Sequence, residues 1–462
     1  MEQPRRFDLP RACMRTAVLL PAAHLREDGG VSACRARLRE DGGTSSVAHL
    51  RENGGVSACR ARLREDCSAS SAARFRADPR RNSNLHGGAP ILYGAPRQFF
   101  PRRNFRFPHR SVTKGAFHLN TRVLPPDEAA LKEAAALIRG GRLVSFPTET
   151  VYGLGANGLD AEAVSRIFAA KGRPGDNPLI LHIASLDALR PLIACEPSET
   201  ARRMMRAFWP GPLTMIFPRS GRVPANVSAG LDTVAVRFPS HPVAQRLIAL
   251  SGVPIAAPSA NRSGRPSPTA AAHVLEDMDG RIELILDGGA CDVGVESTVV
   301  DMTGATPRIL RPGGVTAAQI AAVAGASEVD PAVMRPLKEG ERPRSPGMKY
   351  RHYAPAGDLT IFHGEPTAVA ARIRESYDAA LNDGRRPLIL ALDAHRALYG
   401  DRRVESLGDS PEAMAHSLFA VLRDADTLGA DALFSEAVEA DGVGLAVMNR
   451  LGRAAAFHIV EV

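Results

Sequence analysis

From residue 125 to residue 256 the chain alternates helix-length amphipathic stretches with short apolar runs, and few folds can satisfy that alternation. Pro125 to Gly141 predicts a helix with Asp127 as its N-cap and Gly140 and Gly141 as its end. Leu143 to Phe146 then reads as a strand, Pro147 to Gly155 as a loop rich in hydroxyls and glycine, and Asp160 as the cap of a helix running through Phe168. Ser198 to Phe208 reads as helix, while Pro178 to Ile183, Leu213 to Phe217, Val234 to Phe238 and Val253 to Ala256 read as strands. Strands this short bury their apolar faces only in a shared sheet, and the intervening helices must cover it. The pattern therefore implies an α/β domain around a mixed sheet. No GxxxxGK[ST] occurs, which argues against a P-loop, and no dinucleotide-binding fold is expected.

At 462 residues the chain should hold two or three domains. Its formal charge of +8 is unevenly placed: residues 1–115 contain 22 Lys and Arg against 10 Asp and Glu, so that segment carries +12 and the rest −4. Affinity of the whole chain for nucleic acid does not follow from such a balance. Within the basic segment, Ala23 to Asp41 recurs as Ala48 to Asp66 with one change, Asp28 to Asn53. Two polar, Gly-interrupted copies cannot build the continuous core that a solenoid needs. Residues 1–115 are accordingly read as a disordered extension or a mis-assigned start. A rival reading, an Arg-rich targeting or RNA-binding arm, is weakened by Glu27, Asp28, Glu40 and Asp41. Six cysteines without a CxxC pair fit a reducing cytoplasm better than a zinc site or a disulfide scaffold. No apolar run reaches the roughly 18 residues of a membrane span.

Cations and hydroxyls gather at the strand ends. Lys171-Gly-Arg-Pro-Gly-Asp-Asn-Pro-Leu-Ile-Leu-His182 sets a lysine, an arginine, an asparagine and a histidine along one stiff turn and the strand after it. There Arg173 offers a planar fork to phosphate or carboxylate and Lys171 a point charge. Thr148, Glu149 and Thr150 put hydroxyls and a carboxylate at a strand exit, where turn capping alone would explain them equally well. Arg237, inside the apolar run Thr233 to Phe238, needs an anionic partner, either a ligand or an internal carboxylate. Ala257 to Thr269 supplies Ser259, Asn261, Ser263 and Ser267 on a Gly/Pro-stiffened loop suited to cradling phosphate. Glu296 to Asp301 reads as a further strand, and Arg311 stands before Pro-Gly-Gly. Four cationic turns beside strand ends imply a polyanion plus a small zwitterion as ligands. With no Ser-His-Asp order and no paired catalytic carboxylates, the expected chemistry is positioning and charge neutralisation, as in nucleotidyl transfer.

In order and spacing, SFPTETVYGLG, KGRPGDNPLILHI, TVAVRFP, APSANRSGRPSPT, GVESTVVD and ILRPGG resemble the YrdC-like domain of threonylcarbamoyl-AMP synthases, over residues 118–325. The resemblance implies a YrdC-like twisted mixed sheet with a concave cationic site. It also implies a nucleotidyltransferase that condenses L-threonine, bicarbonate and ATP, with Mg2+, into threonylcarbamoyl-AMP and pyrophosphate. A downstream tRNA threonylcarbamoyl transferase complex would then modify the adenosine beside the anticodon. Carried over motif by motif, Thr148, His182, Arg237, Ala257 and Ser297 would hold threonine. Arg173, Asn177, Thr233, Ser259, Ser267 and Arg311 would hold ATP, Lys171 and Arg173 would be the catalytic cations, and no residue would ligate a metal.

Residues 326–356 read as a linker, yet Lys349-Tyr-Arg-His-Tyr353 is dense for a spacer. It resembles the family's lid motif, which would bring Tyr350 and His352 over the nucleotide and exclude water. Leu359 to Phe362, Thr367 to Leu381, Pro387 to Leu392 and Met414 to Leu428 predict a smaller Rossmann-like open α/β domain over residues 357–462. Gly442 to Ala455 is similar to the family's C-terminal ending, with its role left open. The rival function is a non-catalytic module that holds double-stranded RNA on the same concave surface. A lid is useless to such a module, and the −4 charge of residues 116–462 also disfavours it, so neither a stable nucleic-acid partner nor a membrane is expected.

Overall fold

The computed structural model describes residues 119–462 except 337–340, 342–343 and 346–351, together with the backbone of three strands nearer the N-terminus. The chain divides into two units, Met1–Gly115 and Ala116–Val462. In the first, β1 (Ala33–Arg39), β2 (Ser45–Arg51) and β3 (Arg60–Ala61) pair antiparallel. The reading of residues 1–115 as disordered or mis-assigned otherwise lies outside the described residues, and so does Tyr350.

The second unit contributes β4 (Arg122–Leu124), β5 (Val144–Phe146), β6 (Gly153–Asn157), β7 (Ile180–His182), β8 (Leu213–Pro218) and β9 (Thr233–Arg237). It continues through β10 (Ile255–Ala256), β11 (Leu284–Leu286), β12 (Thr298–Asp301), β13 (Arg308–Arg311) and β14 (Glu328–Val329). These eleven strands form one mixed sheet in the order β14-β13-β12-β8-β9-β7-β10-β6-β5-β11-β4. The mixed sheet agrees with the expectation. The strand β6 does not, because it begins at Gly153 inside the stretch read as loop. Gly153, Gly155 and Gly158 keep the GxGxxG spacing of a dinucleotide-binding turn, but the first two lie within this strand and the third just beyond it, and the next helix opens only after all three, at Ala161. A Cβ at Gly155 would come within 2.8 Å of Ile255 and Phe146, and one at Gly158 within 2.5 Å of Leu181, so these glycines serve close packing.

Local chemistry explains the flanking helices. In α1 (Glu128–Arg139) the Asp127 carboxylate accepts from the Ala130 N–H at 2.8 Å, and Ala134, Ala135 and Ile138 turn inward against α-helical Ala244 and Leu247. Helix α2 (Ala161–Lys171) starts at Asp160 and stops at Gly172, whose φ of 63° is the left-handed C-cap that glycine takes without strain. Lys171 is thus the last helical residue, one position before the turn rather than on it.

A five-stranded parallel sheet follows in the order β17-β16-β18-β15-β19, from β15 (Asp358–His363), β16 (Pro387–Ala391), β17 (Val404–Ser406), β18 (Ala432–Glu436) and β19 (Ile459–Glu461). One of its faces is covered by the helices Pro411–Thr427 and Gly444–Ala454. Their apolar cluster also takes in Val151 and Val295 from the loops of the larger sheet and Tyr353 from the linker, so the two α/β layers share a core. Gly294 sits at this seam with φ of 78°, where a Cβ would lie 2.4 Å from the Ala415 carbonyl oxygen. Among the described residues no helix is long and apolar enough to cross a membrane.

Candidate active site

Register assembles the site. Strands β7 and β9 run parallel with His182 opposite Arg237, and β8 runs antiparallel to β9 with Thr214 opposite Arg237. Residues 55 apart in sequence are thereby neighbours on one sheet face. They open into a cleft bounded by these strands and by the loops that carry Thr148, Ser259 and Ser297. Thr148, His182, Arg237, Ala257 and Ser297 all line it. Lys171, Arg173, Ser259, Arg311 and His352 line it as well, so ten of the residues carried over by motif converge.

Three others do not reach the lining. Ser267 donates to Glu296 Oε1 at 2.6 Å and lies behind the floor. Thr233, at the far end of β9, faces a separate hollow with Asp232, Asp301, Leu310 and Arg344. Asn177 is buried just behind Arg173, and its side-chain amide nitrogen and oxygen both lack a partner, a costly state that a ligand would relieve.

Arg237 has the internal carboxylate that the sequence left as one of two alternatives. Its Nη2 lies 2.8 Å from Glu149 Oε1, its Nη1 donates to Thr150 Oγ1 at 2.9 Å and its Nε to the Gly211 carbonyl at 3.3 Å. Burial alone would push the Glu149 carboxyl up; Arg237 and the Ser240 N–H outweigh that and hold it below the usual range. Beside this pair, burial and then Arg237 hold the His182 imidazole neutral, at about 3, with Nδ1 unpartnered. The arrangement offers a guanidinium and an uncharged ring nitrogen side by side.

The other cations are anchored by the protein itself. The Lys171 ammonium donates to the carbonyls of Ser259 and Asn261, tying α2 to the Ser/Asn loop, and burial with Arg173 nearby pushes it well below the ordinary lysine range. Arg173 Nη2 reaches the Pro178 carbonyl at 3.2 Å. Arg311 donates through Nε and Nη2 to the carbonyl and hydroxyl of Ser297, both at 3.1 Å, and burial lowers it to about 10.

Two cleft residues escaped the sequence reading. Glu296, which the sequence places only at the start of a strand, is buried in the floor, accepting from Ser267 and from Arg450 Nε at 2.8 Å. Burial would raise its carboxyl, but Arg450 and Arg311 bring it to about 2. Tyr353 adjoins His352 with its ring 5.0 Å from Phe419, and its φ of 64° is a left-handed backbone rarely taken by a non-glycine residue. His352 itself is neutral, at about 3, through burial and then Arg173. Proximity of Tyr353 to His352 was the signal available for it; Glu296 gave none beyond its place in GVESTVVD.

The family model described as Telomere recombination matches residues 136–313, and the one described as Threonylcarbamoyl-AMP synthase, C-terminal domain, matches residues 315–456. The threonylcarbamoyl-AMP synthase of Pyrococcus abyssi is 48% identical over 339 residues, covering 73% of this chain and 97% of its own length. That of Bacillus subtilis is 46% identical over 76% of this chain and 99% of its own length. The crystal structure of P. abyssi Sua5 complexed with L-threonine is 47% identical and superposes with a TM-score of 0.70, covering 74% of this chain and 99% of that one.

Proposed function

The chain belongs to the threonylcarbamoyl-AMP synthase family, and on that footing we propose how its cleft makes threonylcarbamoyl-AMP from L-threonine, bicarbonate and ATP with release of pyrophosphate. The observation that carries the reading is the register pairing of His182 with Arg237 inside a cleft whose other cations are Lys171, Arg173 and Arg311. Arg237 meets the threonine carboxylate with the N–H groups that Glu149, Thr150 and Gly211 leave over. His182 accepts the threonine hydroxyl at Nδ1, which its neutral state keeps available.

The threonine nitrogen bonds to the carbon of bicarbonate with loss of water, giving N-carboxythreonine. Its new carboxylate oxygen attacks the α-phosphorus of ATP, the bond from that phosphorus to the bridging oxygen breaks, and pyrophosphate leaves with the electron pair. Arg173 and Arg311 oppose the charge that accumulates on the phosphate oxygens, while Lys171 acts by fixing the Ser259–Asn261 loop against them. His352 and Tyr353 close the mouth and keep water from the adenylate. Among the described residues no group of three or more His, Cys, Asp or Glu is placed to hold a metal, and the cleft carboxylate Glu296 is committed to Ser267 and Arg450. The side chains therefore do not fit a protein-held Mg2+ site; the ion would arrive on the nucleotide phosphates, and no step is assigned to it. The product would serve a tRNA threonylcarbamoyl transferase in the cytoplasm.

Pyrophosphate release by the full chain, with threonine and bicarbonate together and with each left out, tests the reading. Release that needs both supports it; release indifferent to threonine overturns it.

A further inference from the structure

Arg450 stands on the helix Gly444–Ala454 of the C-terminal domain, is fully buried, and reaches into the floor of the cleft. Its Nε donates to Glu296 Oε2 at 2.8 Å, its Nη2 to the Glu296 carbonyl at 3.1 Å and its Nη1 to the Pro312 carbonyl at 2.6 Å. The guanidinium carbon lies 6.0 Å from the centre of the Tyr353 ring. One side chain thus holds three segments that carry cleft residues: Glu296–Ser297, Arg311–Pro312 and His352–Tyr353. Glu296 adds a fourth through Ser267. Backbone approach at this point is close, since a Cβ on Gly313 would lie 2.5 Å from the Glu296 carbonyl oxygen. Stability alone is a weak reason to bury such a pair, because apolar replacements of buried ion pairs are often neutral or stabilising.

We propose that Arg450 is a positioning residue for the synthase reaction, setting Ser297 and Arg311 through Glu296 and Pro312 and seating His352 through Tyr353, so that the C-terminal domain is part of the active site. The proposal rests on the synthase reading.

Three full-chain variants test it: Arg450→Met, Arg450→Lys, and Leu451→Ala, which weakens the same helix through the buried core and removes no side-chain hydrogen bond to a cleft segment. Melting temperature, kcat and KM for threonine and ATP are measured well below each melting point, with threonine binding followed by calorimetry. Arg450→Met should lower kcat/KM for threonine on the order of 10²-fold and weaken threonine binding, as misplacement of about 1 Å in a site can do. Arg450→Lys, which keeps the charge but not the fork, should fold and show a smaller loss in the same direction. Leu451→Ala should melt lower with kcat/KM within about threefold of the parent. Arg450 variants that match Leu451→Ala in kinetics and binding would overturn the proposal, and Arg450→Lys decides it if Arg450→Met does not fold. A parent chain that binds threonine but releases no pyrophosphate would sink the synthase reading, and the calorimetry would still judge Arg450.

Discussion

Removing the Arg237 guanidinium should do two separable things. Arg237 and Glu149 are 4% and 7% exposed, so Arg237→Met leaves a buried carboxylate without its cation. Stranding one member of a buried pair costs about 3–5 kcal/mol, and at roughly 2–4 °C per kcal/mol for a domain of this size the melting temperature should fall by about 6–20 °C. Threonine affinity should also drop, since a charge-assisted hydrogen bond contributes about 1.5–3 kcal/mol, or roughly 10- to 150-fold in Kd. Lost turnover in the single variant would then confuse folding with binding. The pair Glu149→Gln and Arg237→Met resolves them, because the double variant strands no charge. Thermal melts should show the double variant recovering more than half of the stability lost by Arg237→Met, while calorimetry shows threonine binding no better than in that single variant. Strictly additive destabilisation would refute the ion-pair argument. Arg237→Met binding threonine within about threefold of the parent would refute the assignment of the carboxylate to Arg237.

Three further outcomes are expected. The Glu296 carboxyl is held at about 2 against an ordinary 4.5, so its contribution of about 3 kcal/mol is present above pH 4.5 and is lost as pH falls toward 2; Glu296→Gln should flatten the acid limb of stability against pH, and an unchanged limb would contradict the floor assignment. His182 stays neutral to about 3 while the unfolded chain takes up a proton near 6.5, so its contribution is complete above pH 6.5 and declines below it; His182→Asn should reduce proton uptake on unfolding between pH 6 and 4, measurable from the pH dependence of melting. Gly294→Ala pushes a Cβ to within 2.4 Å of the Ala415 carbonyl oxygen at φ of 78°. Overpacking and left-handed strain together should cost about 2–5 kcal/mol, and early proteolysis of the C-terminal domain would report the detachment.

The sequence told most about the parts whose physics is local. Asp127 and Asp160 cap the helices they were expected to cap, because a carboxylate before an amphipathic run has a few N–H groups to satisfy and they are close by. The apolar runs around His182 and Arg237 were legible as strands, and the anionic partner of Arg237 as a necessity. Choosing Glu149 over a ligand was not legible, since both would satisfy the same guanidinium. Nor was the strand character of Gly153–Asn157: glycine weakens a strand locally, and here the pairing of β6 with β5 and β10 and its tight contacts override that weakness. The assignment of Thr233 rests on motif order and that of Ser267 on motif order and a hydroxyl-rich loop, and neither says which way a side chain faces; β9 turns Thr233 to another hollow and Glu296 draws Ser267 behind the floor. Arg450 lay 154 residues from its partner Glu296, beyond any pattern that spacing can reveal.

Charge balance shows why the site needs these distant carboxylates. Lys171, Arg173, Arg237 and Arg311 line one cleft, Arg450 lies directly beneath it, and among the described residues Glu149 contacts Arg237 and Glu296 contacts Arg450. Burying so many like charges without compensation would shift their titration or open the fold. Lys171 shows the first effect, and loop carbonyls take up its donors. Glu149 and Glu296 each offset one guanidinium and aim it, which leaves a net positive cleft that an anion must complete. A triphosphate and an amino-acid carboxylate supply more negative charge together than the adenylate retains once pyrophosphate has gone. Electrostatic attraction is therefore greatest for the substrates and weakens as the reaction proceeds, which favours turnover over product retention. Neutralising Glu296 would raise the net charge and tighten pyrophosphate binding, so Glu296→Gln should lower the inhibition constant for pyrophosphate as well as altering acid stability. A pyrophosphate constant unchanged, or weakened in step with ATP affinity, would show that geometry rather than charge balance governs release.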